Sequence, residues 1–229
     1  MERMDSMEGR EEELPVVEQN NEPEPKEEPK SEEIQEPKRP KADRQENLLL
    51  TYLHDIVCLV TGVLLVFSLC FRVVVVSGPS MNSTLVDGDW LLLTCNVLYN
   101  DPKFGDIVVA CKDSFDNGTP IIKRVIATEG QTVDIDFTEG LVYVDGVALD
   151  EPYALTPTNL PEGVAFPLVV DKGCLFVLGD NRNESKDSRS IEIGLIDRRE
   201  ILGKAVILLY PGTDHGKFQQ DFSRIGVVS

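Results

Sequence analysis

Ser80 stands directly after Val73-Val74-Val75-Val76-Ser77-Gly78-Pro79, where an apolar run breaks at a Gly-Pro pair. A serine hydroxyl becomes a nucleophile only when a base takes its proton, and histidine is the usual base. The chain has two histidines, His54 at the start of an apolar stretch and His215 alone near the C-terminus. Neither makes a Ser–His–Asp triad easy to build, and lysine is the next candidate. Lys123 sits in Ile121-Ile122-Lys123-Arg124-Val125-Ile126-Ala127, which alternates as a strand does. Ile121, Lys123 and Val125 would then share one face, and Ile122, Arg124 and Ile126 the other. A free lysine is neutral to well under about 1% at pH 8. Desolvation on an apolar face can lower its pKa by up to ~3–5 units, enough to make it a base. From spacing alone, the Lys-Arg pair also fits a solvated strand edge. Gly179-Asp180-Asn181-Arg182 also fits a plain polar turn, and both alternatives stand at this point.

Other chemistries find less support. The five cysteines, Cys58, Cys70, Cys95, Cys111 and Cys174, form no C-x-x-C, and the histidines are distant from them in sequence. That pattern predicts neither a zinc site nor a disulfide-built fold. The formal charge is −18, with no basic recognition helix, so no nucleic-acid partner is expected.

Ahead of Ser80 lies the one stretch apolar enough to enter a bilayer. Ile56–Phe71 carries no charge over 16 residues, about 24 Å as helix and short of a ~30 Å hydrocarbon core. Adding Leu48–Leu53 gives 24 residues, about 36 Å and enough to span. The chain before it, residues 1–47, carries 16 acidic against 8 basic residues and six of the fourteen prolines. Its sparse apolar content predicts a disordered acidic tail. The Lys38-Arg39, Lys41 and Arg44 cluster puts that tail on the cytoplasmic side and the chain beyond the apolar stretch outside.

Past residue 72 the period changes to two. Val73–Val76, Trp90–Thr94, Ile107–Cys111, Ile121–Thr128, Thr132–Phe137, Leu141–Val144, Cys174–Leu178 and Ala205–Tyr210 read as strands. Asp87-Gly88, Gly105-Asp106, Asn117-Gly118, Glu139-Gly140 and Asp145-Gly146 read as turns between them. The expected fold is mainly β, an antiparallel coiled sheet or barrel with one N-terminal transmembrane helix. The expected organisation is a tail at 1–47, an anchor at 48–72 and an extracytoplasmic β domain at 73–229. A smaller inserted hairpin region is expected at about 130–172.

Three segments together resemble the ordered motifs of bacterial type I signal peptidases. They are Gly78-Pro79-Ser80-Met81-Asn82-Ser83-Thr84-Leu85, Lys123-Arg124-Val125-Ile126, and Gly179-Asp180-Asn181-Arg182-Asn183-Glu184-Ser185-Lys186-Asp187-Ser188-Arg189. Phe104–Val108 and Glu151-Pro152-Tyr153 are also similar, so the resemblance covers about Leu48–Pro211. It implies that Ser80 attacks the scissile carbonyl and that neutral Lys123 takes its proton. It implies further that Ser185 orients Lys123, and that Asp187, Arg189 and Gly179 support the site. Val76, Met81, Leu85 and Ile122 are implied to line pockets for small side chains one and three residues before the cut. Implied partners are signal-peptide-bearing preproteins and the lipid bilayer, with a monomeric enzyme and no metal or cofactor. Three departures are visible. Ser83 replaces the family's usual proline, and Ala127-Thr128-Glu129-Gly130 replaces its usual Gly-Leu/Phe-Pro-Gly (Gly78, with no hydroxyl for an oxyanion, is as in many Gram-positive members). Ser190-Ile191-Glu192-Ile193 puts Gly194 two residues later than the family pattern. The alternative reading is a non-catalytic, membrane-anchored β domain that binds exported chains.

Overall fold

The computed structural model describes residues 41–213 and 220–228. Residues 1–40 of the expected tail, and His215, lie outside the described residues. Internal packing divides the chain into Met1–Leu49 and Leu50–Ser229. Of the first unit only 41–49 are described, as the opening turns of a helix.

That helix, α1, is Lys41–Cys70. Its Asn47–Cys70 portion is 24 residues long and apolar enough to cross a membrane, and none of that window is buried. The uncharged run after Asp55 supplies the apolar surface, and with no long β-branched run until Val73 the helix propagates unbroken. It ends at Cys70 because Phe71 and Arg72 are taken into the sheet, opposite Thr94 and Leu93.

The rest is strand. β1 is Phe71–Val75, β2 Trp90–Cys95, β3 Ile107–Cys111, β4 Pro120–Thr128, β5 Thr132–Asp136 and β6 Leu141–Val144. β7 is Val147–Ala148, β8 Leu168–Val169, β9 Cys174–Leu178, β10 Ile196–Asp197, β11 Ile201–Tyr210 and β12 Gly226–Val227. β11 starts well before Ala205. Gly203 and Lys204 break the apolar pattern, yet they pair with β2 and β3 across bulges. A large antiparallel sheet runs β1-β2-β11-β3-β4-β9-β10, with β12 added to β11, and a second sheet runs β7-β6-β5-β8. The second sheet occupies Thr132–Val169, between β4 and β9 of the first. At the β6–β7 hairpin Asp145 and Gly146 take φ of 52° and 78°. These are the left-handed pair that a two-residue hairpin with the right twist requires.

Each sheet face buries a different cluster. Val76, Met81, Leu85, Leu91, Leu93, Ile107, Val109, Ala205 and Leu208 form one core. Val108, Ala110, Val125, Leu175, Val177, Ile193, Ile196 and Ile201 form a second on the opposite face of β3 and β4. The small sheet closes over a third around Ile126, Val133, Ile135, Val142, Phe176 and Leu178. Strands β3, β4 and β9 are therefore apolar on both faces. In the middle of β4, Lys123–Ala127 are all buried.

Candidate active site

The Gly-Pro break turns the chain out of β1 into a closed loop over 76–89. Val76 N–H donates to Asp89 O (2.8 Å), and Val76 O accepts from Gly88 N–H (2.9 Å). Within the loop, Gly78 N–H donates to the Asp87 carboxylate (2.8 Å). Leu85 N–H closes a turn on Met81 O (2.9 Å), placing both apolar side chains in the first core. Ser80 is left at the lip of a cleft of about 390 Å³. Its N–H makes no hydrogen bond among the described residues.

Lys123 comes from β4, paired across β3 with Val108. It is 4% exposed, and its Nζ lies 2.8 Å from Ser80 Oγ. Burial pulls its pKa down from the ordinary 10.5 to about 8. Asp187, Glu162 and Asp180 oppose that shift, and Arg189 adds to it.

The chain after β9 supports both groups. Gly179 N–H donates to Asp187 Oδ2 (3.0 Å). A Cβ on Gly179 would stand 2.1 Å from Ser185 Oγ and 2.5 Å from Ser80 O. Asp187 and Arg189 are fully buried and paired, Nε to Oδ1 at 2.8 Å and Nη2 to Oδ2 at 2.9 Å. Ser185 is buried beside them. Its O–H donates to Asp187 Oδ2 at 2.9 Å, and among the described residues no hydrogen bond joins Ser185 to Lys123, whose Nζ is placed on Ser80 Oγ.

Of the expected pocket residues, Val76, Met81 and Ile122 line the cleft with Ser80 and Lys123. Leu85 is not among the lining residues; it packs in the first core beside Met81. The cleft runs between two strand edges. β1 has a partner on one side only. Residues Pro120–Lys123 of β4 pair with β3, while β9 takes only Arg124 onward. Both free edges are backbone donors and acceptors awaiting an extended peptide.

Several positioning residues escaped the sequence reading. Asn181 N–H donates to Ser80 O (3.0 Å) and its Nδ2 to Pro79 O (3.2 Å), which ties down the loop that carries Ser80. Arg124 grips buried Asp180 through Nε and Nη2, both at 2.8 Å, and Thr84 Oγ1 donates to Asp180 at 2.5 Å. Tyr153 lies under the Arg124 guanidinium at 4.0 Å, and Glu151 holds Arg182 at 2.6 and 2.8 Å. All belong to the quoted motifs or lie within a few residues of them. The readable sign was polar residues in apolar strands, which must be paired when buried. Among the described residues no group of His, Cys, Asp and Glu could hold a metal ion.

A serine held against a buried amine, in a cleft edged by free strands and joined to a membrane-length helix, defines the class of membrane-anchored serine peptidases. Residues 49–210 match the family described as signal peptidase, peptidase S26. Signal peptidase I of Bacillus licheniformis is 32% identical over 179 residues, 75% of this chain and 94% of that one. A probable signal peptidase I-1 of Synechocystis is 36% identical over 151 residues, 62% of this chain and 72% of that one. A solved signal peptidase I of Enterococcus faecalis is 30% identical, covering 45% of this chain and 96% of that one, with a TM-score of 0.38. The chain belongs to the signal peptidase family, peptidase S26, and is an enzyme of the type I signal peptidase class.

Proposed function

We propose that this membrane-anchored enzyme removes signal peptides from exported preproteins with Ser80 as nucleophile and Lys123 as general base. The observation that carries the assignment is the 2.8 Å contact between Ser80 Oγ and the Nζ of a buried lysine. In the first step neutral Lys123 accepts the Ser80 proton as Oγ attacks the scissile carbonyl. The resulting ammonium then protonates the leaving amine, and the cycle repeats with water on the acyl-enzyme. The free Ser80 N–H is a donor for the oxyanion. Asp187, Arg189, Ser185 and Gly179 hold the wall behind Lys123, and Asn181 and the Asp180–Arg124 pair hold the loop that carries Ser80.

A peptide laid between β1 and Pro120–Lys123 gains backbone hydrogen bonds on both sides and brings alternate side chains onto one wall. That wall is Val76, Met81 and Ile122. It fits small apolar side chains, alanine above all, at one and three residues before the cut. The chain up to about residue 47 lies on the cytoplasmic side, about 48–70 forms the anchor and 71–229 the outer domain, which works as a monomer. The Lys38–Arg44 cluster supports that orientation.

The test is cleavage of an alanine-x-alanine preprotein by the full chain in lipid vesicles. Ser80→Ala and Lys123→Ala should each lose at least about a thousandfold in kcat/KM, the scale set by loss of a nucleophile or its base. Undiminished processing by either variant overturns the assignment.

A further inference from the structure

The buried charges around Lys123 come in pairs. Asp187 pairs with Arg189, Asp180 with Arg124, and Glu151 with Arg182. On the rim, Lys186 pairs with Glu192. Glu162 is a second carboxylate on one of these cations, Arg189. Its Oε1 lies 3.5 Å from Arg189 Nη2, a guanidinium already engaged by Asp187. Its side chain is 21% exposed, too deep for water to screen its charge fully.

The segment around Glu162 is clasped to the turn that follows Asp187. Leu160 O accepts from Arg189 Nη1 (3.1 Å), and Val164 N–H donates to Arg189 O (3.1 Å). Gly163 bridges to Ser190. A Cβ on Gly163 would stand 2.8 Å from Ile191 Cδ1, so Ile191 lies flat across a bare backbone. Ser190 and Ile191 begin the stretch that is two residues longer than the family pattern. We propose that Glu162 is a positioning residue that sets the base strength of Lys123, held against Arg189 by the Ser190–Ile191 segment.

The proposal rests on Lys123 being the base. The charged groups acting on Lys123 are Asp187, Glu162 and Asp180, which favour its ammonium, and Arg189, which opposes it. A base must be neutral to start and basic enough to take a proton. Burial secures the first condition, and the surplus carboxylate preserves the second.

The experiment is the pH profile of kcat/KM for the full chain in vesicles, with wild type, Glu162→Gln, Glu162→Asp, Ile191→Ala and Lys123→Met. Removing the charge should make Lys123 a weaker base. The rising limb should move to lower pH by about half a unit to one unit in Glu162→Gln. Glu162→Asp should restore most of the wild-type limb. Ile191→Ala, at an exposed position, should move the limb the same way by less, and it serves if Glu162→Gln does not fold. A limb within about 0.2 units of wild type in both Glu162→Gln and Ile191→Ala overturns the proposal, even if melting temperatures fall. In that case Lys123→Met, being inactive, still leaves the base assignment standing. Activity with an unchanged limb in Lys123→Met would instead remove that assignment and this proposal with it.

Discussion

At the residue scale the site turns on one desolvated amine. With a pKa of about 8, half the Lys123 side chains are neutral at pH 8 and about a tenth at pH 7. The kcat/KM of the wild type should therefore climb through pH 8 and level off about one to two units above it, read with a preprotein or peptide substrate. The same shift has a cost in stability. The folded pKa lies below the ordinary 10.5, so between about pH 8 and 10.5 the unfolded chain binds more protons than the folded one. Stability from this group thus rises with pH across that window, and the penalty is fully present below pH 8. Its size is on the order of 3 kcal/mol at neutral pH. Lys123→Met should be inactive, yet at least as stable as wild type at pH 7. The gap should narrow toward pH 10.5 in urea titrations. A variant less stable at pH 7 by more than about 1 kcal/mol would contradict the buried-amine account.

At the element scale, the site is a junction of three chain segments that meet at backbone distance. The 76–89 loop, the middle of β4 and the turn after β9 approach so closely that Gly179 has no room for a methyl group. Gly179→Ala would drive a carbon into Ser185 Oγ and Ser80 O, both held by further hydrogen bonds. Overpacking of this kind costs roughly 1–3 kcal/mol. Activity should fall more steeply than stability, because the displaced atom is the carbonyl oxygen of Ser80, the proposed nucleophile. Thermal melting and kcat measured on one preparation separate the two effects. Equal, small losses in both would mean that the turn relaxes away from Ser80.

At the scale of the molecule, anchor and cleft are adjacent in sequence. Ser80 is ten residues past the last residue of α1, so it lies within about 35 Å of the helix end. A substrate segment held in the same bilayer reaches the cleft without free diffusion. None of the helix's membrane-length window is buried, and the three cores lie beyond residue 75. Removal of residues 1–70 should therefore leave a folded domain, stable to within about 0.5 kcal/mol of the full chain. It should cleave a short soluble peptide at the full-chain rate and process a vesicle-inserted preprotein at least about tenfold more slowly. Loss of the folded domain, read by circular dichroism, would show that the helix contributes to the fold.

Much of this was legible in the residues, and the limits have a physical origin. A 24-residue apolar helix, period-two strands and Asp-Gly turns are local patterns, so the sequence by itself determined the anchor, the larger strands and the mainly β class. The order of the three motifs pointed to Ser80 and Lys123, whereas the strand pattern alone left Lys123 open between a base and a solvated edge. The short strands β7, β8, β10 and β12 were not legible, because two residues carry no period. Tertiary structure alone decided which face of β4 is covered, and hence that Lys123 is buried. It placed Leu85 in the core, gave the Ser185 hydroxyl to Asp187, and brought Glu162 to Arg189 across 27 residues of sequence. Periodicity states which side chains share a face, whereas burial and pairing depend on what packs against that face. For Ser80 and Lys123 the packing that counts joins segments 43 residues apart.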